Sequence, residues 1–195
     1  MTAVLDLISG VCWSVTYVAA VVLGVRKKIW YIPKLAICQN FAWEFWVVME
    51  RILTGSPLST AFVIQIAWLA LDVGVLFTWV HYDRGDPRNK LGNATLFLGV
   101  FALMYLLAFR LGAWEFTAFA INAIMSAAFL LRENREEDAP KSCLIAVTKL
   151  VGTLAATILN GIIWRNMLLL WLGGICLLFD GRYLAVCARK FQGKG

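Results

Sequence analysis

Seven apolar stretches of about 20 residues each fill most of this chain and restrict what it can fold into. A helix of about 20 apolar residues crosses the hydrocarbon core of a bilayer, which is about 30 Å thick. The stretches run approximately over residues 5–25, 34–53, 58–80, 92–110, 113–131, 143–163 and 166–187. They predict an all-α, polytopic membrane protein with seven transmembrane helices.

The composition agrees with this class, because 61% of the residues are hydrophobic and only 15% are charged. Soluble domains are nearer 45–50% apolar and about 25% charged. The apolar stretches leave no room for a separate soluble domain, so we expect residues 1–195 to form a single seven-helix transmembrane domain. The net charge of +6 would favour nucleic acid in a soluble domain. Here the basic residues cluster at helix ends, so the expected partner is the lipid bilayer and not nucleic acid.

The distribution of Lys and Arg predicts the orientation. Fourteen of them fall on one side of the predicted membrane, three on the other, and Lys149 lies within a span. The first group comprises Arg26, Lys27, Lys28, Lys34, Arg84, Arg88, Lys90, Arg132, Arg135, Lys141, Arg182, Arg189, Lys190 and Lys194, and the second Arg51, Arg110 and Arg165. By the positive-inside rule, the N-terminus faces out and the C-terminus is cytosolic.

Four ionisable residues lie deep within the apolar stretches: Glu44, Asp72, Lys149 and Asp180. A charge at that depth costs roughly 2.5–3.5 kcal/mol on insertion scales. Three of the four are carboxyls and only one is a cation, so we expect at least one carboxyl to be neutral and able to donate a proton. The helical rise of 1.5 Å per residue places all four in one slab, roughly 9–15 Å below the cytosolic surface, which predicts a shared internal cavity.

Polar and aromatic residues accompany these carboxyls along the same helices. Asn40 lies one turn before Glu44, and Tyr183 lies one turn after Asp180. Trp43, Trp68 and Trp171 lie in the second, third and seventh stretches, and aromatic faces stabilise cations. The residue pattern leaves open whether Lys149 forms a purely structural ion pair with Asp180 or Asp72, and whether each Trp only packs.

The sequence contains no recognisable metal-binding pattern. The five cysteines are scattered without a CxxC spacing, and His81 is the only histidine. We therefore expect no metal site, no cofactor and no disulfide framework.

Three short segments resemble one enzyme family. Gln39–Phe45 contains an Asn-x-x-Trp-Glu pattern, Trp68–Val73 a Trp-x-x-x-Asp pattern, and Leu178–Tyr183 an Asp-x-x-Tyr pattern. These are similar to the second, third and last helices of the small seven-helix, membrane-bound terpene cyclases. That family serves fungal meroterpenoid and indole-diterpene pathways and bacterial pathways to drimane-type indole terpenoids. The resemblance implies that Glu44 and Asp180 are the candidate catalytic acids.

The resemblance also implies a reaction. A lipophilic prenylated substrate would enter from the bilayer, and protonation of its terminal alkene or epoxide would start a cationic, class II-like cyclisation. The chain contains no Asp-rich DDxxD-type sequence for ionising a diphosphate. The alternative is a small seven-helix transporter or proton-coupled carrier. Such carriers typically show a Pro-Gln pair in each repeat, which is absent here, and the two halves show no convincing similarity.

Overall fold

A computed structural model describes residues 2–83, 88–135 and 141–192, and these ranges contain helices and turns but no strand. The helices are α1 (Thr2–Lys27), α2 (Lys34–Leu53), α3 (Thr60–Tyr82), α4 (Arg88–Met104), α5 (Trp114–Arg135), α6 (Cys143–Thr157) and α7 (Met167–Gln192). Each predicted apolar stretch coincides with one helix, so the predicted all-α class is confirmed. Arg84 and Lys194, both in the predicted cytosolic basic group, lie outside the described residues.

Two helices end in wider turns of π-helix before the chain reverses. α4 continues into the π-helical segment Tyr105–Arg110, and α6 continues into Ile158–Ile163. The chain then turns through a positive φ, 65° at Gly112 and 55° at Arg165. These left-handed residues, placed directly after the last turn, allow the chain to reverse direction into α5 and α7.

Polar side chains mark where three helices begin. Ser59 accepts a hydrogen bond from Phe62 N at 3.3 Å, and Ser142 accepts one from Ile145 N at 3.4 Å. Asn166 Oδ1 accepts from Leu169 N at 3.2 Å ahead of α7. Each side chain satisfies an amide that the first helical turn leaves without a partner.

Within the described residues six helices are long and apolar enough to cross a membrane: α1, α3, α5, α7, and α4 and α6 together with their π-helical continuations. Large apolar side chains such as Leu7, Phe77 and Leu178 are exposed on the outside of the bundle. The protein is therefore a multi-pass integral membrane protein. α2 contains the charged residues Lys34, Glu44, Glu50 and Arg51, which lower its hydropathy.

The position of α2 explains how it tolerates that polarity. It packs against α3, α4 and α5, so its side chains meet protein on several sides. α1 packs along α6 and against α3, and α7 packs against α5 and α6. The interior between α1, α2, α3, α5 and α6 contains the candidate site.

The hairpin of α6 and α7 is packed through glycines. A Cβ added at Gly161 would lie 2.8 Å from Leu170 Cα and Cβ, and one added at Gly173 would overlap the side chain of Thr157. The two helix axes can approach this closely because neither glycine has a side chain. This close approach brings α6 and α7 near enough for their polar side chains to meet.

Candidate functional site

A cavity of about 200 Å³ lies in the interior of the bundle. Aromatic, polar and small side chains from α1, α2, α3, α5 and α6 form its wall. The lining residues are Ser9, Trp13, Tyr17, Asn40, Trp43, Glu44, Trp68, Ala118, Phe119, Ile121, Asn122, Met125 and Ala156. This wall is mostly apolar but carries a few converging polar groups, which is typical of small-molecule sites.

One turn of α2 supplies unpaired polar atoms to this wall. Asn40 Nδ2, Trp43 Nε1 and Glu44 Oε2 are buried and have no hydrogen-bond partner among the described residues. Buried polar atoms without partners are rare in folded proteins, so such a group calls for a functional explanation. The residues that carry these two N–H donors and this carboxyl oxygen all line the cavity.

A second carboxyl lies behind Glu44. Asp72 on α3 is 2% exposed, and its Oδ2 also has no hydrogen-bond partner in the described part of the chain. It lies within electrostatic range of Glu44, and Tyr17 on α1 lies within range of both. Among the described residues neither carboxyl forms an ion pair. Glu44 and Asp72 are thus a buried acid pair that no described cation compensates.

The third carboxyl, Asp180, is fully engaged. Lys149 Nζ on α6 lies 2.7 Å from Asp180 Oδ1 and 2.8 Å from Oδ2, and both residues are 1% exposed. Asp180 Oδ2 also accepts a hydrogen bond from Thr153 Oγ1 at 3.4 Å. The ammonium donates further to Asn122 Oδ1 at 3.0 Å and to Ser126 Oγ at 2.5 Å. A buried ion pair is tolerated when both charges are hydrogen-bonded in this way.

The four ionisable residues therefore divide into two groups with different properties. Glu44 faces the cavity, and Asp72 lies close to it without lining the cavity. Lys149 and Asp180 neutralise each other behind the wall, and Asn122 connects them to the cavity. The acid that can reach a ligand and the acid that a lysine neutralises are separate residues.

The predicted site residues are distributed unevenly around this arrangement. Asn40, Trp43, Glu44 and Trp68 line the cavity, and Trp68 Nε1 donates to Ser14 Oγ at 3.0 Å. The predicted lining residues Asp72 and Tyr183, and the predicted acid Asp180, are buried outside the wall described above. The Tyr183 ring packs against Phe129 on α5, with ring centroids 5.0 Å apart.

The structure places the predicted lining residue Trp171 away from this cavity. Its side chain is 71% exposed on the outside of the bundle. Trp171 and Asp180 are nine positions apart, which places them roughly 180° apart around a helix of 3.6 residues per turn. Because α7 turns Asp180 inward, it turns Trp171 toward the surroundings of the bundle.

Sequence reasoning missed several residues of the site, among them Trp13 and Tyr17 on α1. It also missed Asn122, which lines the cavity, and Thr153, which contacts Asp180. Helical spacing offered a signal for the polar ones. Asn122 and Ser126 are four positions apart in one apolar stretch, as are Lys149 and Thr153 in the next. Such pairs share one helix face, which indicates a polar interior contact.

The sequence model of a family described as Pyr4-like transmembrane terpene cyclases matches residues 1–189. Among curated relatives, the terpene cyclase cle7 of Aspergillus versicolor is 26% identical, over 92% of this chain and 83% of its own. The terpene cyclase esdpB of Penicillium shearii is also 26% identical, over 95% of this chain and 84% of its own.

A third relative matches a shorter segment. The Pyr4-family terpene cyclase mfmH of Annulohypoxylon moriforme is 30% identical, over 42% of this chain and 32% of its own. All three relatives carry the same activity in their names. These similarities support the terpene cyclase interpretation and give no support to the transporter alternative.

Proposed function

Because the chain belongs to the Pyr4-like transmembrane terpene cyclases, we propose that it protonates the terminal alkene or epoxide of a lipophilic prenylated substrate and so starts a cationic cyclisation. One observation carries this proposal: Glu44 lines the cavity with a buried, unpaired carboxyl oxygen. An unpaired carboxylate in an apolar interior is costly, which favours a Glu44 that holds its proton until a substrate arrives. A protonated carboxyl in a mostly apolar cavity wall can act as a general acid.

The proposed step conserves atoms. The Glu44 O–H bond breaks, and its proton goes to the terminal alkene carbon or to the epoxide oxygen of the substrate. Successive alkenes then attack the cation and close rings. Loss of a proton from the last cation, with the Glu44 carboxylate as its acceptor, gives a product with the mass of the substrate and restores the acid.

The aromatic wall supports the cationic intermediates in this proposal. Trp13, Trp43 and Trp68 line the cavity with Glu44. Aromatic faces attract cations by about 0.5–2 kcal/mol each, and more where water is excluded. The cavity, at about 200 Å³, is below the roughly 300–1,000 Å³ of sites that enclose a drug-sized ligand. We therefore assign the cavity to the reacting end of the prenyl chain, with the head group outside it.

Asp180, the other candidate acid, receives a different role. Its carboxylate is held by Lys149 at 2.7 and 2.8 Å and lies outside the cavity wall. We propose that Asp180 acts as the counter-charge of Lys149, and that Glu44, with Asp72 nearby, is the proton donor.

The orientation belongs to the same proposal. We propose that α2 also crosses the membrane, which brings the number of spans to seven. The N-terminus then lies outside and the C-terminus in the cytosol. The alternation of the helices places Arg26 at the end of α1 and Lys34 at the start of α2 at one end of the bundle, while Arg51 at the end of α2 lies at the other. The positive-inside rule assigns the first end to the cytosol.

Product analysis tests the proposed function. Membranes containing the protein are given farnesylated and geranylgeranylated aromatic compounds, each with and without a terminal epoxide, and the products are analysed by mass spectrometry. A new isomer of unchanged mass is expected from the wild type and not from Glu44→Gln. Glu50→Gln, on the same helix but outside the cavity wall, is the matched control and should retain turnover. Turnover by Glu44→Gln at equal expression would refute the assignment of the acid.

A further inference from the structure

We propose that Asn122 is a substrate-binding residue, and that Lys149 is the positioning residue that fixes the Asn122 amide so that one of its N–H groups hydrogen-bonds an oxygen atom of the substrate. This inference rests on the proposed function, since it concerns the ligand of the same cavity. It gives a role to the buried Lys149, which takes no part in the proposed protonation step.

The contacts of Asn122 determine which way its amide faces. An ammonium only donates hydrogen bonds, so the amide atom 3.0 Å from Lys149 Nζ is the oxygen. The amide nitrogen then faces Thr153 Oγ1, to which it donates at 3.1 Å. Because Lys149 and Thr153 both lie on α6, one turn apart, they hold the two ends of the amide in one orientation.

The ammonium is itself held in place. Both Asp180 oxygens and Ser126 Oγ lie within hydrogen-bonding distance of it besides Asn122, so its three N–H groups serve four acceptors, and Lys149 is 1% exposed. Asp180 Oδ2 also accepts from Thr153, at 3.4 Å. These bonds close a ring that runs from Lys149 to Asn122, Thr153 and Asp180 and back. A polar group held by such a closed network has little freedom to turn away from the cavity.

Lys149 also contacts a second part of the cavity wall. Its Nζ lies 5.4 Å from the ring centroid of Trp13, which lines the cavity. The same ring packs over Gly152, where a Cβ would come within 3.0 Å of Trp13 Cδ1. The buried cation thus borders both the polar and the aromatic side of this wall.

The remaining hydrogen-bonding capacity of Asn122 points to a ligand. A side-chain amide carries two N–H donors, and only the one to Thr153 has a partner among the described residues. Asn122 lines the cavity, so the second donor is available to whatever occupies it. A hydrocarbon offers no acceptor, whereas a hydroxyl, carbonyl or epoxide oxygen does. The site therefore favours a prenyl compound with an oxygen at the end that enters.

Equilibrium binding of paired tritiated probes tests this. The protein is purified into nanodiscs in the Glu44→Gln background, which stops turnover, and empty nanodiscs correct for partition into lipid. Farnesol against farnesene reports an oxygen at the head. Farnesyl acetate against its terminal epoxide reports an oxygen at the tail. One hydrogen bond predicts an affinity about 2- to 12-fold higher for the oxygenated member of one pair.

Three variants then locate the cause. In Asn122→Leu the affinities for the oxygenated and the hydrocarbon-ended probe of the pair should become about equal. Lys149→Met/Asp180→Leu, which removes the orienting ammonium without leaving a charge unpaired, should lower the preference at least by half. Ser126→Ala, which removes one Lys149 contact and spares the side-chain contacts of Asn122, should keep it. A smaller folded fraction lowers the number of binding sites and leaves the ratio of affinities unchanged, whereas loss of the Asn122 contact lowers the affinity of the oxygenated member alone.

Several results would overturn the proposal. An unchanged preference in Asn122→Leu would exclude Asn122 as the contact. A preference lost in Asn122→Leu but kept in the double variant would exclude the role of Lys149. Equal affinities within both pairs would exclude an oxygen contact without reference to any variant, so the test does not depend on whether Asn122→Leu folds. Binding is measured without turnover, so these results are independent of the product analysis that decides the proposed function.

Discussion

Lys149 donates hydrogen bonds to both carboxylate oxygens of Asp180, at 2.7 and 2.8 Å, and thereby joins α6 to α7. This contact gives Asp180 a different environment from Glu44, although the family resemblance implies that both are candidate acids. It leaves Glu44 as the carboxyl in the cavity wall and makes Asp180 part of a neutral network behind that wall.

The stability of the folded protein should depend on keeping the buried charges of Lys149 and Asp180 paired. Lys149→Met or Asp180→Asn alone leaves one buried charge without its partner, and we expect a loss of about 3–5 kcal/mol in the free energy of unfolding. Lys149→Met/Asp180→Leu removes both charges and should recover most of that loss. Unfolding of the purified protein in mixed micelles measures it, and a double variant as unstable as the sum of the single ones would contradict the prediction.

Glu44 and Asp72 should respond differently to amide substitution. Glu44→Gln removes the proposed proton donor and should lower turnover about 10²- to 10⁴-fold. Asp72→Asn changes a carboxyl that lies outside the cavity wall, so we expect a smaller loss of rate and an unchanged product. Product mass spectra and initial rates of both variants, at matched protein levels, distinguish these effects. An equal loss in both would make Asp72 a second participant in the proton transfer.

Substitution of a tryptophan should affect turnover only where its ring lines the cavity. Trp43 lines the cavity, whereas Trp171 is 71% exposed on the outer surface. Trp43→Leu should lower turnover and change the ratio of cyclised products, because it removes an aromatic face from the cavity. Trp171→Leu preserves apolar character on an outer face and should leave rate and products unchanged. Chromatography of the products tests this, and an altered ratio in Trp171→Leu would contradict the position assigned to that residue.

Two adjacent glycines of α7 offer a matched test of packing. A Cβ at Gly173 would overlap Thr157 on α6, whereas one at Gly174 would meet nothing within 4 Å. Gly173→Ala should therefore force the helices apart and cost about 1–3 kcal/mol of stability. Gly174→Ala should be neutral or slightly stabilising, because alanine favours helix. Thermal unfolding in detergent compares the two, and similar melting temperatures would argue against close packing at Gly173.

The proposed orientation can be tested separately from the chemistry. A fluorescent reporter that folds only in the cytosol, fused after Gly195, should be active, whereas alkaline phosphatase fused at the same point should not. The reverse activities should follow fusion to a protein truncated after Thr54, in the turn after α2. Phosphatase activity at the C-terminus would place the basic end of the bundle outside.

The amino-acid sequence by itself determined the membrane class and the helices of this protein. Apolar stretches of sufficient length predict helices in a bilayer, because backbone groups there must be satisfied within each segment. The sequence also identified Glu44, Asp72, Lys149 and Asp180 as unusual, since buried charge is costly wherever it occurs. The helical spacing of α7 could also have predicted that Trp171 faces outward, because it lies roughly opposite Asp180 on that helix.

Only the tertiary structure decided which of these residues meet. Lys149 could have paired with Asp72 or with Asp180, because depth along a helix does not fix its rotation or its neighbours. The choice follows from the close packing of α6 on α7 through Gly161 and Gly173, which brings Lys149 to Asp180. Asn122 meets Lys149 and Thr153 because the folded bundle brings α5 and α6 together at this point. Pairing and burial are properties of packed helices, and a linear pattern does not contain them.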